Sequence, residues 1–597
     1  MHSIRRAPRT LTLVLLFALS LPTAAAPIPD TSFGVNGMVE QPFPGNAGVV
    51  DSVLALRDGK LLAGGFYFHG LHGGLAGIPI YAGFPLARYN HDGSRDAGFG
   101  NQGIFNPPPL RVSLVQRDGK MVGVSQTGLT RFNQDGTPDV GFIADGATGL
   151  TWFAQVSDGF LAVAQQADGK IVVAGNTSYT VVLLRFNANG SLDTSFNYVG
   201  AVLVPHGDAD IDLDMAGLVI QPDGKLAVAT SSVVGAARKF TVVRYNPNGT
   251  PDATFGSNGR TSATFGGTDQ DTAAALLRQP SGRLVVVGSH DGLQLQLVGF
   301  RGDNGALDAT FGAAGVVRGA IGGATSTGSG GIADVASVGV KDAITPPDGK
   351  LLVATSTSSD LLSTGPLLRF TLDGAADATF GVSGAFASPQ LPVFGSVALQ
   401  PDGDLVLGGS STGNNFAVGR FLSGPSAAIE FYNAALDHYF VSMNPQEVDD
   451  LDLGVHGGWQ RTGLSFPVFG SLAAATAAAA GVATNPVCRF YIPPQHGDSH
   501  FFSADLFECQ QALAKTATDP NFSGYFEETA SAFFVAVPNH ATGACPSGTT
   551  PIYRLWNARF DSNHRYTTDV AVKAQMVARG YVAEGYGPNA VNMCAPQ

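Results

Sequence analysis

Short apolar runs separated by Asp-Gly pairs dominate the first two thirds of the chain. Residues 53–57, for example, precede the pair at 58–59, and the apolar residues 61–63 follow it. This pattern predicts a β-hairpin, because Asp and Gly both tolerate the positive φ of a tight turn. A third strand is predicted at positions such as 181–186, and a fourth after a Phe-Gly turn, as at 315–317. Four short strands form an antiparallel meander that cannot bury both of its faces alone.

Three landmarks recur seven times in the same order. The first is the phenylalanine of an Asp-x-x-Phe motif, found at Phe33, Phe99, Phe142, Phe196, Phe255, Phe311 and Phe380. The second is a turn of the Asp-Gly-Lys type, which begins at Asp58, Asp118, Asp168, Asp223, Ser281, Asp348 and Asp402. The third is an Arg-aromatic strand end, with the arginine at Arg88, Arg131, Arg185, Arg244, Arg301 (reversed, after Phe300), Arg369 and Arg420. The loops between the landmarks vary in length while their order is kept.

Seven such meanders predict a mainly β chain with a seven-bladed β-propeller-like domain over residues 27–424. In a propeller each blade is buried between two others, and seven lies within the usual blade count. An open stack of sheets is the alternative, but neither end of the array has an atypical capping unit. If the strand after each Phe-Gly turn belongs to the preceding blade, the N-terminal strand completes the last blade and closes the ring.

The repeated phrase also resembles a known family. Residues 245–259 read Tyr-Asn-Pro-Asn-Gly-Thr-Pro-Asp-Ala-Thr-Phe-Gly-Ser-Asn-Gly, which is similar to the delta-60 repeat of bacterial secreted and surface proteins. The resemblance extends over about residues 30–424. It implies a repeated β architecture outside the cell, and it brings no catalytic residue.

The turn before each Asp-x-x-Phe motif has the spacing of a calcium loop. Oxygen-bearing side chains alternate before a glycine, and a further carboxylate follows three residues after it. The two candidate sites consist of Asn90, Asp92 and Asp96, and of Asn133, Asp135 and Asp139. The favoured alternative is a turn in which Asn and Asp bond their own backbone, since a phenylalanine stands where a calcium loop would continue to another carboxylate. Calcium is the cofactor that these turns suggest.

After residues 424–426 the glycine hairpins stop and a different repeat begins. An aromatic segment leads to a histidine segment three times, over 431–440, 490–502 and 555–566. A polar stretch with helical character follows each, and then a Gly-aromatic return. We therefore predict three β-hairpin–helix–strand units in a small α+β module over residues 425–597. Its Phe-Tyr-Asn and His-Tyr-Phe phrases resemble uncharacterised C-terminal modules of bacterial exported proteins and hydrolases.

Three histidines of this module stand at equivalent positions. Threefold symmetry could bring His438, His500 and His564 together as a metal or catalytic cluster, although a repeated strand histidine is more often a structural hydrogen-bonding group. His496, Asp498 and His500 alternate, which would place three metal-capable side chains on one face of a strand.

All four cysteines lie in the same module, at Cys488, Cys509, Cys545 and Cys594. In an exported chain they predict two disulfides, for which three connectivities are available. We expect Cys488 to pair with Cys509 and Cys545 with Cys594, because each pair brackets one repeat. Zinc is disfavoured, since no two cysteines are two to four residues apart.

The first 26 residues have the pattern of a secretory signal peptide. Three arginines precede an apolar run over residues 11–21, and small residues follow it. We expect the mature protein in the periplasm, at the cell surface or in the medium. No other stretch is apolar enough to span a membrane.

Composition narrows the classes of function. With 77 Gly and 35 Pro, 44% hydrophobic and only 14% charged residues, the chain differs from a disordered protein and from a helical bundle. Its formal net charge of −13 makes binding to nucleic acid through a basic face a poor hypothesis.

Two hypotheses of function follow. The first is an exported, noncatalytic and monomeric binding or scaffold protein that recognises a surface glycan or protein, with Trp459 and Trp556 as sugar-stacking or core residues and the three repeated histidines as further candidate ligand contacts. The alternative is a propeller-based extracellular enzyme, such as a metal-assisted lyase or hydrolase acting on a polymer. Convergent His, Asp and Arg side chains at one mouth of the ring would favour the enzyme, and small or apolar residues there would count against it.

Overall fold

The computed structural model describes residues 26–43, 47–71, 79–107, 111–125, 128–142, 162–176, 181–203, 211–234, 237–263, 270–291, 294–319, 339–356, 363–478 and 482–597. All but the last residue of the predicted signal peptide lies outside these ranges. The described chain is mainly β. Two short strands come first, β1 (Ile28–Pro29) and β2 (Met38–Gln41).

The repeats form seven antiparallel sheets within the described residues. The first three comprise β3 (Ala47–Ala55), β4 (Leu61–Leu71), β5 (Pro79–Gly83), β6 (Leu86–Tyr89) and β7 (Ile104–Phe105); β8 (Arg111–Val115), β9 (Met121–Ser125) and β10 (Gly128–Phe132); and β11 (Ala162–Gln165), β12 (Ile171–Asn176), β13 (Val181–Phe186) and β14 (Ala201–Leu203). The next two comprise β15 (Ile211–Ile220), β16 (Leu226–Val234), β17 (Ala237–Tyr245) and β18 (Arg260–Ser262); and β19 (Thr272–Arg278), β20 (Leu284–His290), β21 (Gln294–Phe300) and β22 (Val316–Arg318). The last two comprise β23 (Gly339–Ile344), β24 (Leu351–Ser356), β25 (Leu367–Phe370) and β26 (Ala385–Phe386); and β27 (Val393–Leu399), β28 (Leu405–Ser410) and β29 (Phe416–Leu422). The fourth strand predicted after Phe142 falls on residues 143–161, outside the described ranges.

The first strands of successive sheets line a common axis. Contacts run in order from β3 through β8, β11, β15, β19 and β23 to β27, and β27 in turn contacts β3. The sheets therefore form a closed, propeller-like ring and not an open stack. Each sheet buries its apolar faces against its two neighbours, as a single meander could not.

The N-terminal strands belong to the last sheet. Residues of β2 pair antiparallel with β29 in a register that places Met38 opposite Gly419 and Gln41 opposite Phe416. Residues of β1 pair with the end of the same strand, with Ile28 opposite Leu422. The seventh sheet is thus completed by the start of the chain, as the sequence predicts.

The repeated phenylalanines pack between neighbouring units. Phe196 is fully buried and its ring lies over Gly249 in the turn of the next unit. The φ of Gly249 is +87°, and a Cβ there would lie 2.9 Å from the Phe196 ring, so only glycine fits this turn. The amide of Asn197 also donates to the Asn248 carbonyl across the same boundary, at 2.8 Å. The Asn-x-Asx-Gly turn is therefore a joint between units.

The C-terminal part has three units, each a hairpin followed by a helix and a return strand. The first unit comprises β30 (Ser426–Asn433), β31 (His438–Ser442), α1 (Pro445–Asp452) and β32 (Trp459–Val468). After α2 (Leu472–Ala478) and β33 (Thr484–Pro486), the second unit comprises β34 (Cys488–Ile492), β35 (Ser499–Ser503), α3 (Leu506–Thr518) and β36 (Phe526–Thr529). After β37 (Phe534–Ala536), the third unit comprises β38 (Thr549–Trp556), β39 (His564–Thr567), α4 (Val570–Ala578) and β40 (Val582–Glu584), and β41 (Met593–Pro596) follows it. The second hairpin strands β31, β35 and β39 contact one another at the centre.

Each unit begins its helix with the same cap. Asn444, Asp505 and Asp569 accept hydrogen bonds from two backbone amides of the first turn of α1, α3 and α4. The two disulfides join Cys488 to Cys509 and Cys545 to Cys594, the predicted pairs. No helix among the described residues is long and apolar enough to cross a membrane.

Candidate ligand-binding site

One arginine, one aspartate and one phenylalanine form the joint of each ring unit. In the fourth unit Arg244 donates through Nε to Asp252 at 2.8 Å, and its guanidinium lies 4.3 Å from the centre of the Phe255 ring. The same arginine donates to the backbone carbonyl of Asp303 in the next unit, at 2.8 Å. Burial alone would raise the pKa of Asp252, but hydrogen bonds from Thr254 and the charge of Arg244 lower it to about 2.

The joint recurs around the ring with one rearrangement. The equivalent arginine–aspartate pairs are Arg88–Asp96, Arg131–Asp139, Arg185–Asp193, Arg369–Asp377 and Arg420–Asp30. In the fifth unit the sequence assigns this place to Arg301, which is wrong, because Gly299 occupies the position and Arg301 forms an exposed pair with Asp303. Arg283 of the Ser-Gly-Arg turn replaces it and donates to Asp308 at 2.6 Å.

The carboxylates proposed as calcium ligands are engaged by cations of this joint. Asp139 accepts from Lys120 Nζ at 2.9 Å and from Arg131 Nε at 2.8 Å. The hydrogen bond from Lys120 is the main cause that lowers the pKa of this carboxyl. The matching set in the preceding unit is Asp96 with Lys60 and Arg88. A calcium ion at either place would have to displace two cations.

The other proposed calcium ligands are bonded within their own turns. Asp135 accepts from the amide of Thr137 at 2.9 Å, and the Asn133 amide donates to the Thr137 hydroxyl at 3.0 Å. The matching residues are Asp92 and Asn90, both bonded to Ser94. Across the described ranges, no three His, Cys, Asp or Glu side chains are grouped to hold a metal ion. This arrangement is that of an Asx turn.

Helix α1 of the C-terminal part lies across one mouth of the ring, the end at which strands β3, β8 and β19 finish. Asp450 accepts from Arg57 at 2.7 Å and from Arg117 at 2.8 Å, and only 7% of its side chain is exposed. Arg278, at the end of β19, lies 3.8 Å from Asp452. Arginines from three sheets therefore converge on the carboxylates of one helix.

A cavity of about 400 Å³ lies beneath α1 on the axis of the ring. Its walls include Leu114, Ala164, Val219 and Leu276, and Asp449 of α1 faces into it. Although 63% of the Asp449 side chain is accessible, the area faces this cavity, and the surrounding protein raises the pKa of its carboxyl. The lining is mixed, with apolar strand residues on the ring side and charged groups on the helix and on the arginines that contact it.

The last ring unit departs from the others where it meets the C-terminal part. Asp404 replaces the lysine of the Asp-Gly-Lys turn, and it accepts from the Ser423 amide and bonds the Ser471 hydroxyl, both at 3.3 Å. Burial and the neighbouring Asp402 raise the pKa of Asp404 to about 8. A second cavity, of about 320 Å³ and mainly apolar, lies beside this contact.

The predicted equivalence of the three histidines is wrong. His500 lies opposite Tyr491 and His564 opposite Trp556, but His438 lies opposite Asn433. Tyr439, opposite Tyr432, occupies the matching place in the first unit.

Each histidine faces a separate carboxylate. The distances from Nε2 to the nearest carboxylate oxygen are 3.5 Å for His438 with Asp561, 3.2 Å for His500 with Glu528 and 3.4 Å for His564 with Glu584. Burial lowers the pKa of His564, and the hydrogen bond with Glu584 opposes it. His500 and His564 are thus each paired with a carboxylate of their own unit, whereas both ring nitrogens of the buried His438 lack a hydrogen-bond partner among the described residues.

The two tryptophans have structural contacts. Trp459 packs against the main core of the C-terminal part, with its ring 6.0 Å from that of Phe440. Trp556 donates through Nε1 to the Ser562 hydroxyl in its own hairpin loop, at 3.1 Å. The equivalent bonds in the other units are Tyr432 to Asp437 and Tyr491 to Asp498. Trp556 therefore makes, in the third unit, the hydrogen bond that fixes the hairpin loop in each of the three units.

Ion pairs between neighbouring units hold the threefold arrangement together. They are Arg489 with Glu447, Arg554 with Glu508 and Arg565 with Glu430, at 2.9, 2.7 and 2.8 Å. In the third pair the first unit supplies the glutamate and the third unit the arginine, whereas a cyclic continuation of the first two pairs would give the reverse.

Four rings form an accessible row on the C-terminal part, defined here as the aromatic row: Phe522, Tyr525, His496 and Phe560. The centroid distances between successive rings are 5.0, 5.4 and 6.1 Å. Phe560 is 84% exposed, and the other three are partly exposed. The strand predicted to carry His496, Asp498 and His500 is wrong, since His496 ends a 3₁₀ turn and β35 begins only at Ser499, after Asp498 at φ +51°.

Two family models match the chain. A domain of unknown function described as a β-propeller, DUF5122, matches residues 116–142, 166–196, 221–255 and 347–380. Another domain of unknown function, DUF5648, matches residues 427–591. The repeats are thus propeller-like, and the C-terminal part is similar to a separate domain family. No curated protein matches the sequence.

Several solved structures match the chain at low similarity. The extracellular domain of a hybrid two-component system from B. thetaiotaomicron is 12% identical, with 68% of this chain and 44% of that chain covered and a TM-score of 0.33. A gluconolactonase from Xanthomonas campestris is 14% identical, with 64% and 98% covered and a TM-score of 0.32. A PQQ-bound aldose sugar dehydrogenase from Streptomyces coelicolor is 15% identical, with 53% and 94% covered and a TM-score of 0.32. The chain spans less than half the length of the first of these, and overlaps of this size support no conclusion about activity.

The sequence interpretation missed the residues at the mouth of the ring and the aromatic row. A signal for the first exists in the run Asp449-Asp450-Leu451-Asp452 and in the arginines that precede two Asp-Gly turns. The row has a weaker signal, because its rings come from three separate loops.

Proposed function

We propose that the protein is an exported, noncatalytic and monomeric binding protein. A seven-bladed propeller of the delta-60 type, residues 27–424, serves as the scaffold. The module of residues 425–597 recognises an extracellular glycan or protein. Residues 1–26 act as the signal peptide. Two disulfides in the module support an oxidising environment outside the cytosol.

The observation that carries the proposal is the occupation of the ring mouth by α1. Arginine and aspartate side chains do converge there, which on the sequence criterion would favour an enzyme. However, Asp450 accepts from both Arg57 and Arg117, so opposite charges from the two parts neutralise each other. Side chains that are paired in this way hold the module on the ring and are not directed at a substrate.

The best-formed acid–base pair elsewhere in the described residues also argues for a structural role. His290 Nδ1 lies 2.7 Å from the buried Asp271, as in many catalytic dyads. Its Nε2 faces a second carboxylate, that of Asp291, at 3.6 Å. Both ring nitrogens are therefore directed at carboxylates, and neither points to an open position for a reacting group.

One experiment separates a binding protein from an enzyme. The exported full chain is incubated with polysaccharides and with extracellular protein fractions, and both retention of the protein and new reducing ends or unsaturated products are measured over time. We expect retention of the protein with no change in the polymer. A steady rise in reducing ends or in unsaturated sugar would establish the enzyme instead.

A further inference from the structure

We propose that the aromatic row of Phe522, Tyr525, His496 and Phe560 is a binding site for a neutral carbohydrate chain. The inference rests on the proposed binding function and names its site and ligand class.

The row is continuous and spans two units of the module. Phe522 and Tyr525 come from the segment between α3 and β36, and His496 comes from the hairpin loop of the same unit. Phe560 comes from the hairpin loop of the third unit. Successive ring centroids are 5.0 to 6.1 Å apart and the ring planes are inclined to one another by 48 to 61°. The rings therefore form a bent surface that an extended chain could follow from one ring to the next.

Backbone contacts fix the loops that carry the rings. The amide of Ser562 donates to the His496 carbonyl at 2.9 Å, which joins two of the loops. Gln495 donates through its side chain to the Ser523 carbonyl at 3.2 Å, which joins the third. These bonds hold the backbone of the loops before any ligand arrives, which lowers the conformational entropy that binding costs.

The chemistry of the row suits a sugar. Aromatic faces accept the apolar C–H faces of a pyranose, while the Tyr525 hydroxyl and the His496 imidazole can bond its hydroxyl groups. Rigid aromatic groups with a polar end give contact area at low entropic cost.

The charges around the row favour a neutral ligand. Arg559 is held by Asp561 at 2.9 Å and by Asp437 at 2.7 Å, so its charge is already neutralised. Asp498 accepts from the Tyr491 hydroxyl at 2.7 Å. A phosphate-bearing polymer would meet these carboxylates, and the chain has a formal net charge of −13.

Substitutions in the row test the site in the full chain. Affinity electrophoresis of the exported protein through gels that contain a β-glucan, a xylan or a galactomannan reports the dissociation constant. Phe560→Ala and Tyr525→Ala are each expected to weaken binding about tenfold or more, as for aromatic side chains at the centre of interfaces. Tyr525→Phe keeps the ring and is expected to retain most of the binding.

Phe507→Ala is the matched control. Phe507 is 67% exposed on α3 and is not a member of the row, so its removal takes away the same side chain at another surface. Melting temperatures of all variants show whether each remains folded, and Phe560 is exposed enough for its replacement to leave the fold intact.

The outcomes separate the site from the broader function. Loss of retardation in Phe560→Ala and Tyr525→Ala, with Phe507→Ala unchanged, supports the site. Equal retardation of the wild type and both row variants overturns the site and leaves the binding function standing. If none of the neutral polysaccharides retards the wild type, the carbohydrate site is overturned, and retention on extracellular protein fractions decides the proposed function separately.

Discussion

Arg420 donates through Nε to Asp30 at 2.8 Å, although 390 residues separate them in the sequence. Both side chains are almost fully buried, and the same arginine donates to the backbone carbonyl of His91 in the first unit, at 2.6 Å. One guanidinium therefore joins the last sheet, the N-terminal segment and the first sheet.

Removal of this guanidinium should open the ring at its closure. Arg420→Met leaves the Asp30 carboxylate buried without its cation, and we expect a loss of about 3–5 kcal/mol in the free energy of unfolding. Equilibrium unfolding in urea measures this loss in the free energy of unfolding. Arg301→Ala is the control, since the pair of Arg301 with Asp303 is more than half exposed and its removal should change the free energy of unfolding little. Equal losses in the two variants would contradict the assigned role.

Acid should weaken the joints in a narrow range. The pKa values of Asp193, Asp252 and Asp377 fall to about 2 from 3.8, because hydrogen bonds and arginine charges outweigh burial. The unfolded chain therefore binds more protons than the folded one between these pH values, and the free energy of unfolding falls as the pH drops from about 4 to about 2. Each carboxylate contributes on the order of 1–2 kcal/mol. Unfolding in urea at several pH values checks this, and Asp252→Asn should flatten the slope.

Asp404 should act in the opposite direction. With a pKa of about 8 in the folded state, it keeps its proton at pH values where the unfolded chain has lost it. Its contribution is complete below about pH 4 and is lost as the pH rises to about 8. Asp404→Asn keeps the shape without the charge, so its melting temperature should exceed that of the wild type at pH 8 and equal it at pH 4.

The comparison needs an exposed counterpart. Asp168→Asn makes the same change at a solvent-exposed turn of another unit. It should show no such difference between pH 4 and pH 8. A pH-independent effect of Asp404→Asn would show that the carboxyl is not buried as described.

Asp450 should control how firmly the C-terminal part holds the ring. Asp450→Ala removes the acceptor of both Arg57 and Arg117, and we expect a loss of roughly 2–3 kcal/mol. Hydrogen exchange of the α1 amides should accelerate. Asp449→Ala is the matched control on the same helix, because its carboxylate is 3.9 Å from Arg278 and faces the cavity. If the α1 amides exchange at the same rate in both variants, the contact of Asp450 with Arg57 and Arg117 does not hold the C-terminal part on the ring.

Reduction should destabilise the C-terminal part unequally. The disulfides close loops with sequence separations of 21 and 49 residues. On the loop-entropy model they contribute about 3 and about 4 kcal/mol. Cys545→Ser with Cys594→Ser should therefore lower the melting temperature at least as much as Cys488→Ser with Cys509→Ser. Unchanged melting in a reducing agent that breaks both bonds would contradict this.

Local patterns accounted for the strands of the ring, and the offset between the repeat and the blade accounted for the pairing of β2 with β29. Asp-Gly turns, alternating apolar residues and bracketed cysteines act over short distances in the sequence, so they can be recognised without the fold. The reversed Phe300-Arg301 was misleading because the landmark was defined by residue type. Whether an arginine reaches its aspartate depends on its register in the strand, and there Gly299 holds the place.

The contact between α1 and the ring could not be predicted in the same way. Arg57 and Asp450 are 393 residues apart, and each is a residue type that is usually solvated. The aromatic row likewise depends on how three loops are placed by the threefold packing of the C-terminal units. Such sites are set by tertiary geometry and leave only a faint trace in composition.

The pairing of β2 with β29 also sets an order of events during biosynthesis. The N-terminal strand emerges first and then waits for nearly the whole ring to be made before its partner exists. During that interval it is an unpaired edge that can bind other chains. A contact between such distant segments also slows folding. Closure therefore cannot begin until β29 has been made, and until then β2 remains open to pairing with other chains.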